Sequence, residues 1–316
     1  MQENQDNVAA VVVTYNRKEL LIECIEALRS QSIPLKKIIV FNNASTDGTE
    51  KLFSGDGAFS GIETIDFVTS PSNLGGAGGF EKAFEIAQKG NYSNIWIMDD
   101  DTIPEKYALE ELLKAADEVQ ETGYSFLASN IFGPEYEPMN VPEIEDAPTS
   151  NGYSHWYKYL DKGIVAIKEA TFVSLLINCD AISKVGLPLG DYFIWGDDTE
   201  YTRRLVKLYG IAYFVGKSKV LHKRFNSQSI SIDNEQNPNR IKMYKNYFRN
   251  ALLNSSVFDS KPKFLARMIW YFVKSIIELF KFNQLSYQKF LAIQTALFTY
   301  WFKSANVKRK LKEIYG

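Results

Sequence analysis

The stretch "NIWIMDDDTIP", residues 94–104, decides how the chain is read. Ile95 to Met98 form an uninterrupted apolar run, the mark of a strand buried on both faces of a parallel sheet. Asp99, Asp100 and Asp101 follow at once, with no Lys or Arg beside them in sequence. Side chains alternate along an extended segment, so Asp99 and Asp101 point one way and Asp100 the other. Open α/β sheets bind ligands outside the carboxyl ends of their strands, where this strand delivers its carboxylates. Two of them converging make a hard-oxygen site for Mg²⁺ or Mn²⁺, which takes further ligands from substrate phosphates. The plainer alternative is a solvated acidic turn capping a helix that opens at Pro104.

Outward from this stretch, strand and helix patterns alternate. "VAAVVVTY" (8–15), "KKIIVFNN" (36–43) and "TIDFVTSPSN" (64–73) are strand-like; "RKELLIECIEALRSQ" (17–31) and "GAGGFEKAFEIAQKG" (76–90) are helical. Repeated strand–helix units predict a Rossmann-like α/β fold with a mostly parallel sheet. From Phe132 to about Asp161 the periodicity dissolves into an irregular, aromatic-rich segment, and Trp156 within it is a candidate for stacking on a sugar. A strand near Ala170–Val173, a helix from Asp197 and short strands at "IAYFV" and "SKVLH" follow.

Composition divides the chain. From Pro238 onward there are 15 Lys+Arg against 3 Asp+Glu, a net +12, which leaves 21 against 35, or −14, for residues 1–237. The predicted domains are 1–232, an α/β catalytic part, and 233–316, a basic, aromatic-rich helical region. Such a tail suits phosphate, in lipid headgroups or nucleic acid. In "FLARMIWYFVKSIIELF" the charged Arg267, Lys274 and Glu278 share one narrow helical stripe, and nearly everything else is apolar. That face predicts contact with an anionic membrane, with a second subunit in a homo-oligomer, or with the main domain. Two distant cysteines, Cys24 and Cys179, offer neither a disulfide framework nor a zinc site and suit a reducing compartment. The opening "MQENQDN" lacks the features of a secretory leader, and no apolar run approaches the ~18 residues of a spanning helix. A cytoplasmic protein, peripheral on the inner membrane face, is expected.

Further motifs carry polar groups toward the same sheet edge. "NLGGAGGF" supplies Asn73, Gly75 and Gly76 at a helix start that favours an anion, although a tight packing loop would serve as well. "VTYNRKE" and "FNNASTDGT" end the first two strands with Thr14, Tyr15, Arg17, Asn43 and Asp47, fit for a nucleotide or explained by turn chemistry alone. In "DYFIWGDDTEYTRRL", Asp197 with Glu200 reads as a capping box, which leaves Asp198 as a general-base candidate on the first turn. His222 in "VLHKRF" sits at a strand end, as a structural residue or a metal ligand.

Taken in order, "VTYNR", "NNASTDGT", "NLGGAGGF", "WIMDDDTIP", "WGDDTEY" and "VLH" resemble a GT-A glycosyltransferase of family 2 over roughly residues 8–225. "GGAGGF", the triple Asp and the segment after Trp195 are most similar to bacterial UDP-galactofuranosyltransferases, with Gly196 inserted before the paired Asp as a one-residue departure. dTDP-rhamnosyltransferases share much of the scaffold. The resemblance implies Asp99, Asp101 and His222 around Mn²⁺ or Mg²⁺. It also implies Thr14, Arg17, Asn43, Asp47 and Asn73 around a UDP-linked sugar, with Tyr15, Gly75, Gly76 and Asp100 as further candidates there. Asp198 becomes the base of an inverting displacement, and Trp156, Trp195, Asp197 and Glu200 line the acceptor. The implied partners are a nucleotide-sugar donor, a glycan acceptor, free or lipid-linked, and a membrane surface, with no nucleic acid. Two other classes compete: a sugar nucleotidyltransferase, which would release pyrophosphate, and a non-catalytic scaffold built on the helical tail.

Overall fold

The computed structural model describes residues 7–224 and 230–316. The opening residues 1–6, expected to carry no leader, and Phe225, at the end of the family-like segment, lie outside the described residues. By chain contacts the described residues form two units, 7–190 with 201–224, and 191–200 with 230–316.

In the first unit, one sheet holds β1 (Val8–Thr14), β2 (Lys37–Asn42), β3 (Ile65–Thr69), β4 (Asn94–Asp99), β5 (Thr102–Pro104), β6 (Phe126–Phe132), β7 (Glu143–Ile144), β8 (Ile164–Glu169), β9 (Leu175–Asn178) and β10 (Ala212–His222). Their spatial order is β3-β2-β1-β4-β9-β6-β10-β8-β7, with β5 paired to the end of β10. Along the path from β3 to β10 only β9 runs against the others, so the centre of the sheet is mostly parallel. The helices are α1 (Lys18–Arg29), α2 (Gly75–Ala87), α3 (Ala108–Glu118), α4 (Cys179–Val185) and, from residue 201 onward, α5 (Asp197–Leu208).

The run in β1 explains the layering. Val8, Ala10 and Val12 join one core with Leu21, Ile25 and Leu28 of α1 and Leu109 and Leu112 of α3. Ala9, Val11 and Val13 join a second core with Phe80 and Phe84 of α2 and Ile182 of α4. Successive side chains leave opposite faces of a strand, so a strand covered on both sides must be apolar throughout. Each large apolar side chain buried in this way contributes about 1.5–3 kcal/mol.

Three local expectations are corrected. The helix expected to open at Pro104 begins at Ala108; Thr102–Pro104 is instead β5, with Pro104 opposite Val220. The strand expected near Ala170–Val173 is absent there, and its apolar residues fall between β8 and β9. Ala170 bonds the Thr202 hydroxyl through its N–H at 3.3 Å and through its carbonyl at 3.3 Å, in place of a strand neighbour. "IAYFV" and "SKVLH" are one strand, β10, whose register shifts between Val215 and Lys219.

The second unit is helical. It contains α6 (Pro238–Phe258), α7 (Lys261–Leu279), α8 (Gln284–Phe302) and α9 (Ala305–Tyr315). Asn237 caps α6 by accepting from the Asn239 N–H at 2.9 Å, and Pro238 takes a position where no N–H is needed. Residues 191–200, expected in the catalytic domain, group with this unit.

Candidate active site

Adjacent parallel strands β1 and β4 end side by side, with Val13 opposite Asp99. The antiparallel β5 then turns back along β10, which sets Thr102 opposite His222. This topology gathers Asp99, Asp101 and His222 so that one ligand atom from each lies within 4.8 Å of the others. His222 Nε2 is 3.1 Å from Asp101 Oδ1. The other ring nitrogen, Nδ1, lies 3.0 Å from Asn140 Oδ1, a carbonyl-type acceptor. Nδ1 therefore donates to Asn140, and Nε2 is the ring atom turned toward the carboxylates.

The triplet has a basic neighbour after all. Arg17, just before α1, bonds Asp101 Oδ2 through its guanidinium and reaches Asp100 Oδ1 at 3.2 Å. The Tyr15 N–H donates to Asp100 Oδ2 at 3.3 Å. These contacts correct the expectation of an acidic cluster without Lys or Arg. Burial opposes ionisation of Asp101, but His222 and Arg17 outweigh it and hold the carboxyl below its ordinary range. For Asp100 burial prevails over Arg17, and the nearby Asp101 charge adds to it, so its carboxyl is pushed up to about 6. Burial works against the Arg17 charge, yet Asp101, Asp100 and Asp99 raise its pKa overall.

The site fits a divalent cation on one structural ground. Asp101 Oδ1 is buried, with no hydrogen bond beyond the 3.1 Å approach of His222 Nε2. A buried carboxylate oxygen with so few partners is costly. Two carboxylates and an imidazole form a donor set suited to Mn²⁺ or Mg²⁺.

The nucleotide candidates divide by role. Thr14 is buried at the end of β1, and Tyr15 is exposed beside it. Asn43 is buried and grips the glycine loop: its amide donates to Gly75 O at 2.9 Å and to Asn73 Oδ1 at 3.2 Å, and its oxygen accepts from the Leu74 N–H at 2.8 Å. Asn73 in turn accepts from the Gly75 N–H at 2.8 Å. Gly75 has φ +74°, a left-handed conformation that favours glycine. A Cβ on Gly76 would meet nothing within 4 Å, so that backbone is open, whereas a Cβ on Gly79 would come within 2.7 Å of Val13 Cγ1. Asp47 accepts from the Lys18 N–H at 3.0 Å, the Thr49 N–H at 3.1 Å and the Thr49 hydroxyl at 2.6 Å. Slight burial is outweighed by these donors, and its pKa is lowered. Turn chemistry accounts for Asp47 in full.

The acceptor candidates divide between the two units. Trp156 is half-buried against the core shared by α1 and α3, which explains the ring as packing. Trp195, Asp197, Asp198 and Glu200 belong to the second unit. The expected capping box is not formed. Helix α5 already includes Asp197, its first bond runs from the Glu200 N–H to Gly196 O at 3.1 Å, and Glu200 Oε1 accepts from the Tyr315 hydroxyl at 2.8 Å. Burial, reinforced by the adjacent Asp198 charge, pushes the Asp197 carboxyl up to about 8. Burial also raises Asp198, against N–H donors that include Thr199 at 2.8 Å.

The family model described as "Glycosyl transferase family 2" matches residues 9–169. The chain belongs to this family. Among relatives of this family 2 glycosyltransferase, the galactofuranosyltransferase GlfT1 of Mycolicibacterium smegmatis is 29% identical over 212 residues, covering 63% of this chain and 65% of that protein. The match thus spans less than two thirds of that relative's length. Among solved structures, GalNAc-T7 with UDP, GalNAc and Mn²⁺ superposes with a TM-score of 0.56 at 15% identity, covering 97% of this chain and 58% of that one. S. aureus TarS 1–349 in complex with UDP superposes with a TM-score of 0.51 at 12% identity, covering 93% and 91%. At these identities the superpositions show a shared GT-A fold.

Sequence reasoning missed Asn140. It lies in the irregular segment with φ +49°, where no periodic signal marks it. Arg17 was expected at the nucleotide, and its role as counter-charge to the triplet joins residues more than 80 positions apart.

Proposed function

We propose that the chain is an inverting, metal-dependent galactofuranosyltransferase that moves the sugar of UDP-galactofuranose onto a hydroxyl of a glycan acceptor, free or lipid-linked. The observation that carries the reading is the convergence of Asp99, Asp101 and His222 beside Arg17 at the carboxyl ends of β4 and β10. The similarity to GlfT1 supports galactofuranose as the sugar. A divalent cation bound by Asp99, Asp101 and His222 supplies charge stabilisation for a departing diphosphate. Arg17 brings a permanent cation that a diphosphate oxygen attracts, and the open backbone at Gly76 lets that group approach the start of α2. Asp198 takes the proton of the acceptor hydroxyl as its oxygen attacks the anomeric carbon, a role assigned through the "WGDDTEY" resemblance.

The test is nucleoside diphosphate release (UDP or dTDP according to the donor) with a glycan primer, comparing UDP-galactofuranose, UDP-galactopyranose and dTDP-rhamnose with and without chelator. Release from UDP-galactofuranose alone, lost on chelation, is expected. Turnover of dTDP-rhamnose alone would transfer the scaffold to rhamnose chemistry, and pyrophosphate as product would refute glycosyl transfer.

An anionic membrane surface is proposed as the partner of α7 and α8. Helix α7 is inverted: Tyr271, Ser275 and Glu278 are buried, whereas Leu265, Ile269, Trp270, Phe272 and Ile277 are exposed. Lys274 pairs with Asp233 at 2.7 Å and Gln294 donates to Ser275 Oγ at 2.7 Å, so the polar stripe is consumed internally. Exposed apolar rows of this size call for a cover. The net +12 of the tail disfavours pairing tail to tail and attracts anionic lipid. Among the described residues no helix is long and apolar enough to cross a membrane. Ile269→Glu with Ile277→Glu is expected to release the protein from phosphatidylglycerol vesicles; equal binding by this variant would refute the face.

A further inference from the structure

We propose that Asn250 and Asn254 of α6 and Tyr315 of α9 are positioning residues, which hold a strained loop so that Asp198 is presented at the start of α5. The proposal rests on Asp198 being the base. Phe193, Trp195 and Gly196 have φ of +65°, +63° and +87°, so three residues within four positions are left-handed, two of them bearing side chains. Such conformations are unfavourable for L-residues and persist only where the surroundings hold them.

The hold is specific. Alternating left-handed residues bring carbonyls of the loop toward one point, and the Asn250 amide meets them there. Its nitrogen lies 2.9 Å from Tyr192 O, 3.0 Å from Ile194 O and 2.7 Å from Trp195 O. Asn250 is fully buried, so no water substitutes for it. Its oxygen accepts from Arg249 Nε at 2.9 Å, which fixes which end of the amide faces the loop. Asn254, one turn on, donates to Gly196 O at 2.8 Å and accepts from the Tyr192 hydroxyl at 2.6 Å. A Cβ at Gly196 would stand 3.3 Å from Asn250 Cβ, so closeness and φ both favour glycine there.

Helix α9 fastens both ends of the same segment. Asp191 Oδ1 accepts from Asn306 Nδ2 at 3.2 Å, and its other oxygen pairs with Lys310. Glu200, buried and three residues past Asp197, accepts from the Tyr315 hydroxyl at 2.8 Å. The loop that precedes Asp197 and Asp198 is thus bound in its middle by α6 and at its ends by α9.

The test compares Tyr315→Phe, which removes one hydroxyl, and Asn254→Ala with wild type, using UDP-galactofuranose turnover and separate UDP titration. Misplacement of a reacting group by about 1 Å costs up to roughly 10²-fold in rate. A fall of roughly tenfold in kcat is therefore expected for Tyr315→Phe, and a fall nearer roughly 10²-fold for Asn254→Ala. UDP affinity and donor KM should stay within about twofold of wild type, because uniform binding is untouched. The pH at which kcat is half-maximal should move, since the loop sets the surroundings of the base. A merely structural residue would lower kcat and UDP affinity together and leave the pH profile in place, and that result would overturn the proposal. If Asn254→Ala fails to fold, Asn254→Ser and Tyr315→Phe carry the measurement. Asp198→Asn is run in parallel. An inactive Asp198→Asn beside fully active Asn254 and Tyr315 variants overturns the clamp alone; an active Asp198→Asn overturns the base assignment and the clamp with it.

Discussion

Replacing Asn140 isolates the support of the metal site from its ligands. Asn140 Oδ1 lies 3.0 Å from His222 Nδ1, and the opposite ring nitrogen lies 3.1 Å from Asp101 Oδ1. Removing the amide frees the ring to rotate and to exchange tautomers, so Nε2 presents its lone pair only part of the time. Partners of this kind typically change metal affinity by about 10–100-fold, or about 1.4–2.8 kcal/mol. The substitution needs care because Asn140 has φ +49°. Alanine would add backbone strain to the loss of the amide, whereas glycine tolerates that φ, so Asn140→Gly is the cleaner variant. Asn140→Asp keeps an acceptor at the same atom and should preserve binding. The assay is Mn²⁺ titration followed by the electron paramagnetic resonance signal of free Mn²⁺, without donor or acceptor. Asn140→Gly should weaken binding by about 10–100-fold with the fold intact. Wild-type affinity in this variant would show that the ring orientation does not depend on Asn140, and the inferred tautomer would be wrong.

Other perturbations test separate parts. Asp198→Asn should retain UDP binding and lose transfer, measured by isothermal titration beside product release; a near-normal rate removes it as the base. Gly79→Ala would drive a Cβ to 2.7 Å from Val13 Cγ1 and should cost about 1–3 kcal/mol in chemical denaturation, with no cost if α2 can retreat from β1. Asp197, raised to about 8 by burial, binds a proton more tightly folded than unfolded. Its contribution is therefore fully present below the unfolded pKa, near 4, and is lost as pH rises through about 8. Urea midpoints should fall between pH 5 and pH 8, and Asp197→Asn should flatten that slope; an unchanged slope would assign it to other groups.

What was legible in the sequence was the part written in short-range pattern. Alternation in Val8–Val13 distributes side chains between two cores, and any chain with that run needs cover on both faces. Asp99 and Asp101 could be placed together because they follow one buried strand, and the family resemblance brought His222 to them. Contacts between distant segments left no such trace. Nothing near Arg17 announces a bond to Asp101, and nothing near Glu200 announces Tyr315, which is 115 positions away. Ala170–Val173 misled for a related reason: its residues are apolar enough for a strand, but the hydroxyl of Thr202 takes the backbone bonds a neighbouring strand would need. In α7 the periodicity was visible and its direction was not, because the charged stripe turns inward toward Asp233 and Gln294.

Burial separates the two explanations of the Asp triplet. An acidic turn that merely caps a helix relieves its repulsion by facing water, where screening over a few ångströms makes neighbouring carboxylates cheap. Asp100 and Asp101 are only 4% and 3% exposed, and the helix they would cap starts at Ala108, several residues on. Water is therefore not what accommodates them. Arg17 brings a single positive charge to both, and its side chain is itself 47% exposed, which weakens the attraction by solvent screening. The two carboxyls respond in opposite directions: Asp101, held between Arg17 and His222, ionises more readily, and Asp100, with burial dominant, ionises less. A buried pair strained in this way is stabilised by any cation that reaches Asp101 Oδ1, the buried oxygen facing His222 Nε2. A turn cap has no use for that sensitivity, whereas a site that recruits a divalent ion depends on it.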